Sequence, residues 1–172
     1  MNKIVFKGLQ NLVGIKTSFQ ADQRAFNFVL VGARNACLVT SPTKHALFFD
    51  KAFDVYEVYP ETAPSMGDDW EEMYETIPNL IVRKGTDVSN ILFEKDGKLF
   101  FRHLEMGILL GFPPEECKEF QTIKERAGVD YYGLQFACEK SRLTSAIEYL
   151  EKTFSLPQWM KDESELSIRE TC

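Results

Sequence analysis

The chain has little of what most catalytic, metal-binding or anchoring proteins display. It holds only two histidines, His45 and His103. Neither lies in an HxH, an HExxH or a cluster with cysteine, so no metal site is expected. GxGxxG and GxxxxGK[ST], the usual phosphate cradles, are absent, and so are Gly-x-Ser-x-Gly, the kinase set and a glycosidase-like carboxylate pair. No cofactor is expected on these grounds. No apolar run approaches the ~20 residues that a membrane helix requires. The start, MNKIVFKGLQNLVGIK, lacks a long apolar core and a small-residue cleavage site, so a secreted protein is not expected. Four cysteines (Cys37, Cys117, Cys138 and Cys172) are widely spaced without a CxxC. Reduced thiols and a cytoplasmic location are the expectation.

What is present describes a folded object. The 172 residues suffice for one domain with a real core. They are 44% hydrophobic and 13% aromatic, with 14 Phe, as globular chains are. The net charge of −6 is unevenly spread. Residues 1–51 carry seven Lys/Arg against two Asp, a balance of +5, and residues 52–172 a balance of −11. Such asymmetry steers encounters by sign, although a basic end on a compact domain explains it as simply. Direct nucleic-acid binding by so acidic a chain is not expected.

Local patterning suggests mixed structure. AFNFVLVGARNACLVTSPTKHALFFDKAFDVYEVYP is rich in aromatic and β-branched residues, broken at Gly32-Ala33-Arg34-Asn35 and Ser41-Pro42-Thr43-Lys44. That reads as three or four antiparallel strands. Between Pro60 and Pro78, a short helix capped by Ser65 or Asp68 would put Trp70, Met73 and Ile77 on one face. Residues 86–103 are ambiguous: Asp96-Gly97 signals a hairpin, but Lys95 would then face Lys98, and a helix stopped at Gly97 is slightly favoured. PPEECKEFQTIKERAG reads as a helix closing at Gly128, and VDYYGLQFAC as a strand. EKSRLTSAIEYLEKTFSLP reads as an amphipathic helix ended before Pro157. The fold class expected is α+β: one domain over residues 1–158, an N-terminal antiparallel sheet packed against C-terminal helices. Residues 159–172 would be a polar, partly disordered tail.

The stretch FFRHLEMGILLGFPPEECKEF poses the functional question. Cys117 is hemmed in by Glu115, Glu116 and Glu119, and shares an apolar stripe with Phe120 and Ile123. It reads as a small core hydrophobe rather than a nucleophile. His103 and Glu105, with Arg102 adjacent, have the residue types for acid–base work or anion binding, but a hydrogen-bonded packing histidine is the plainer reading. Arg34, Thr43, Lys44 and His45 lie in neighbouring loops whose residue types suit a phosphate or carboxylate, against the plainer reading of solvated turn residues. Asp68, Asp69, Glu71 and Glu72 could form an acidic partner surface on a helix.

Three segments resemble, in order, a family of bacterial proteins known only as a domain of unknown function. They are LVGIKT at 12–17, EMGILLGFPPEECKEF at 105–120, and a final strand and helix over 130–154. In that family histidine directly precedes the glutamate, whereas here Leu104 separates His103 from Glu105. The resemblance implies one α+β domain of bacterial or phage origin and supplies no chemistry.

The reading that follows is a non-enzymatic binding protein, accessory or regulatory, of the kind a phage or mobile element encodes as an inhibitor. It would engage a protein partner or a phosphate-bearing small ligand. The alternative is a small enzyme with a His/Arg/Lys/Glu acid–base site.

Overall fold

The computed structural model describes residues 16–40, 53–74 and 77–170. It begins with helix α1 (Lys16–Leu30), then β1 (Ala36–Val39), β2 (Phe53–Glu57), the short β3 (Tyr59–Pro60) and β4 (Asn79–Arg83). β5 (Leu92–Lys95) and β6 (Lys98–Phe101) lead into α2 (His103–Leu109) and α3 (Pro114–Glu119). β7 (Arg126–Tyr131), β8 (Leu134–Glu139), α4 (Leu143–Thr153), α5 (Gln158–Glu163) and β9 (Leu166–Glu170) follow. The class is α+β, and the described residues form three three-stranded sheets ordered β1-β4-β2, β3-β6-β5 and β8-β7-β9. All pairings are antiparallel except β3 with β6.

AFNFVL, expected as a strand, is the second half of α1. Phe26 and Val29 pack on Cys37, Val39, Phe53 and Ile81, whereas Phe28 joins a different core with Leu134, Leu150 and Phe154. A helix wedged between two cores has no single apolar stripe, so over a short window it reads like a strand. Its end is a Schellman motif: Ala33 N–H donates to Phe28 O at 2.9 Å and Gly32 N–H to Val29 O at 3.1 Å. Gly32 takes the left-handed conformation this requires, φ +75°.

β4 is the central strand of its sheet and is buried on both faces. Ile81 faces the α1 core, while Leu80 and Val82 face the core built with Ile91, Phe101, Met106 and Leu110. This is why Leu80-Ile81-Val82 is a continuous apolar run rather than an alternating one. Truncating the fully buried Leu80 to Ala costs about 2–5 kcal/mol.

Residues 92–101 form a hairpin, not the favoured helix, and Lys95 does stand opposite Lys98. The turn decides it: Asp96 and Gly97 both have positive φ, +53° and +75°, as a type I′ turn demands. Lys98 is drawn off by Glu71 at 2.5 Å, which relieves the like-charge pair.

The helix expected to run to Gly128 ends at Glu119 with one 3-10 turn, Phe120–Thr122. The Glu139 carboxylate accepts the Lys124 and Glu125 N–H groups at 3.0 and 3.1 Å and ties the chain to the third sheet. Gly128 therefore lies inside β7. VDYYGLQFAC is not one strand but a hairpin, turning at Tyr132-Gly133 between β7 and β8. The amphipathic helix appears as α4, ending before Pro157 and burying Ala146 and Leu150. From Gln158 the chain forms α5, anchored by the buried Met160, and then β9 on β7.

Among the described residues no helix is long and apolar enough to cross a membrane. Cys37, Cys117 and Cys138 are free thiols.

Candidate functional site

A cavity of about 440 Å³ opens where α1, α2, α3, β1 and β8 converge. Ligand pockets run to roughly 300–1,000 Å³, so this one is of ligand size. Its walls are largely apolar, from Leu38, Phe101, Met106, Leu110, Phe112 and Phe120, with Arg34, Asp22, His103, Glu116 and Cys117 among them. One side is a continuous run of chain, Gly133 to Ala137, along β8.

Arg34 follows directly from the end of α1. The Schellman turn reverses the chain and points it back between the cores. The residue is only 8% exposed. Its Nη1 donates to Leu110 O at 2.9 Å and its Nη2 to Ala25 O at 2.8 Å. Among the described residues Nε has no partner, and no carboxylate forms an ion pair with the guanidinium. Phe28 lies beneath it, 5.3 Å from ring centre to guanidinium carbon. Burial lowers the Arg34 pKa to about 10, which still leaves a full positive charge at neutral pH. A buried cation without a counter-ion is costly to fold around, so its retention at a cavity wall calls for a reason.

Carboxylates do line the cavity, but they are engaged elsewhere. Glu116, 4% exposed, is clasped by Arg142, Nε to Oε1 at 2.8 Å and Nη2 to Oε2 at 3.2 Å. It also accepts the Glu139 N–H at 3.2 Å, and Arg142 reaches Glu119 as well. This network raises the Arg142 pKa, first through the hydrogen bond to Glu116. Asp22, on α1, accepts the Thr40 N–H at 3.0 Å and so fastens the end of β1.

His103 opens α2. Its N–H donates to Glu61 Oε1 at 2.9 Å, and its Nε2 lies 3.1 Å from Thr62 Oγ1. The imidazole stacks on Phe120 at 5.9 Å and meets Phe101 edge-on at 5.6 Å. Arg102 turns away to β5: its guanidinium sits 4.8 Å over Phe93 and donates to Asn90 O at 3.2 Å. Glu105 is half-buried on α2 and is not among the cavity residues. Arg34 and His103 thus share one cavity, and Arg102 and Glu105 do not line it. Thr43, Lys44 and His45 fall outside the described residues.

Cys117 is half-buried on α3, its Sγ 3.8 Å from Phe112 O. Burial, helped by the Glu116 charge, pushes its thiol up to about 11, the wrong direction for a nucleophile at neutral pH. It packs on Gly107, where an added Cβ would come within 2.6 Å of the sulfur. The glycine is there for the close approach of α2 and α3.

The acidic segment does not form the expected short helix. Asp68, Asp69, Glu71 and Glu72 lie on and between two 3-10 turns, Ala63–Met66 and Trp70–Met73, because the chain turns extended at Tyr74. Trp70 packs on Tyr59 and Phe100 at 5.0 and 5.7 Å, while Met73 is 60% exposed, so the two share no buried face. The four carboxylates are solvent-facing, with Glu71 held by Lys98.

Asp22, Glu116 and the β8 edge were not legible as site residues. Glu116 stood among three glutamates on one short helix, and only its burial sets it apart. No protein-family model, curated protein or solved structure matches the chain.

Proposed function

We propose that this protein is a binding protein that takes a small molecule bearing a carboxylate or phosphate into the cavity beside Arg34. One observation carries the reading: a buried guanidinium without a carboxylate partner among the described residues lines a cavity of ligand size. An anion arriving there would supply the missing counter-charge, and the apolar walls would take the rest of the molecule. A binding role is favoured over catalysis by the state of the reactive groups. The Cys117 thiol is held protonated, and His103 is fixed between Thr62, Phe101 and Phe120.

The test is calorimetric titration with hexanoate and with inorganic phosphate, on the parent and on Arg34→Met. Hydrogen bonds to charged groups are worth about 1.5–3 kcal/mol, so the variant should lose roughly 10- to 150-fold in affinity. A folded Arg34→Met protein that binds both anions as the parent does would end this reading. His103→Ala separates it from acid–base catalysis: anion affinity should change little, whereas an enzyme would lose turnover.

A further inference from the structure

The β8 side of the cavity is a strand edge. Among the described residues β8 pairs with β7 alone, and its register fixes which backbone groups face outward. Tyr131 and Leu134 close a two-residue hairpin, so Leu134, Phe136 and Cys138 exchange hydrogen bonds with β7. The Lys140 N–H, which donates to Glu125 O at 2.8 Å, keeps the same phase. Gln135, Ala137 and Glu139 therefore present their N–H and C=O groups away from β7. The Glu139 N–H, donating to Glu116, confirms the direction. Among the described residues Gln135 and Ala137 have no such partner for their outward backbone groups, and both line the cavity.

The edge is closed at both ends. At one, the α1 backbone at Arg24 lies against Gly133, where an added Cβ would come 2.7 Å from Arg24 Cβ. At the other, α3 and Glu116 occupy the outward face of Glu139. A strand running past β8 would collide with both, so only a short peptide fits. Charge then sets its direction. Arg34 holds the carbonyl of Ala25, one residue from Arg24, and so belongs to the Gly133 end. Asp22, one turn earlier on α1, has its carboxylate on the Thr40 N–H. Glu116 marks the opposite end. An antiparallel strand on β8 ends at Arg34, whereas a parallel one would drive its terminal carboxylate toward Glu116.

We infer that the ligand is a short extended peptide with a free C-terminal carboxylate, added antiparallel to β8 on Gln135 and Ala137 with its carboxylate at Arg34. This rests on the anion-binding reading of the same cavity and gives its ligand a class. Strand addition of this kind draws affinity from main-chain hydrogen bonds and selectivity from alternate side chains.

The experiment titrates isotopically labelled protein with a mixed-sequence tetrapeptide pool carrying free carboxylates, with the same pool amidated, and with hexanoate. The free-acid pool should shift the Gln135 and Ala137 amide signals and slow their hydrogen exchange at least tenfold. Amidation should weaken binding at least tenfold. Ala137→Pro removes one outward N–H without touching the β7 ladder, and proline is tolerated on a strand edge. It should stay folded and lose the pool at least tenfold. If Ala137→Pro does not fold, the amide signals of the parent decide. Hexanoate bound with no response of Gln135 or Ala137 to the pool overturns the peptide inference and leaves anion binding standing. Equal affinity for free and amidated pools overturns it too, as does an edge already protected in a concentration-dependent dimer. If neither the pool nor hexanoate binds, the anion-binding reading itself fails.

Discussion

At Gly107 a single methyl group decides whether α2 and α3 can meet. A Cβ there stands 2.6 Å from Cys117 Sγ and 3.3 Å from its Cβ. Gly107→Ala should destabilise the protein by about 1–3 kcal/mol in urea denaturation, overpacking outweighing the helix propensity gained. In a Cys117→Ala background the sulfur is gone, and the same substitution should be near neutral or stabilising. An unchanged cost there would show that the sulfur is not the obstacle. Arg34 drew attention by its place in a turn near other polar loop residues, and His103 as one of only two histidines. Those signals could not reveal that Arg34 is buried without a counter-ion among the described residues, held instead by the Leu110 and Ala25 carbonyls. Glu116 was hidden for the converse reason: its neighbours Glu115 and Glu119 are the same residue type, and burial alone distinguishes it.

Elements were legible where one signal acted and obscure where two competed. α4 has one apolar face and a proline stop, and its sequence says so. α1 serves two cores, and Gly32, which ends it, looked like a break between strands. The β5–β6 hairpin pitted turn chemistry against the Lys95–Lys98 repulsion, and turn chemistry won because a left-handed pair of residues has few other uses. The repulsion should nevertheless be measurable. Lys95→Glu leaves the Lys98–Glu71 pair intact and converts a like-charge cross-strand pair into an opposite one. It should stabilise the protein by roughly 0.2–1 kcal/mol, less at high salt. A loss of stability would mean that Lys95 has a role the hairpin does not explain.

Over the whole molecule, two thiols inside the cores and a third half-buried on α3 set an alkaline limit. Burial pushes Cys37 up to about 12, and Cys117 and Cys138 up to about 11. An unfolded thiol ionises near pH ~8.5, so above that the unfolded chain releases protons that the folded one retains. Their contribution is complete below the unfolded pKa and lost as pH rises through the folded values. Arg34 acts in the opposite sense, but only above about 10. The urea midpoint should therefore fall steadily from pH 8.5 to 10.5, and fall less steeply in a Cys37→Ala/Cys138→Ala variant. A midpoint flat across that range would contradict the burial of the thiols.

The cavity ties these scales together, since α1, α2, α3, β1 and β8 all contribute to it and Arg34 lies at their meeting point. The most direct test of its purpose is the nitrogen-15 spectrum of the arginine Nε–H groups during a hexanoate titration. If the cavity takes an anion, the Arg34 Nε–H signal moves and saturates while that of Arg142, already clasped by Glu116, stays in place. An Arg34 signal unmoved at millimolar hexanoate and at millimolar phosphate would mean that the buried guanidinium only braces Leu110 and Ala25.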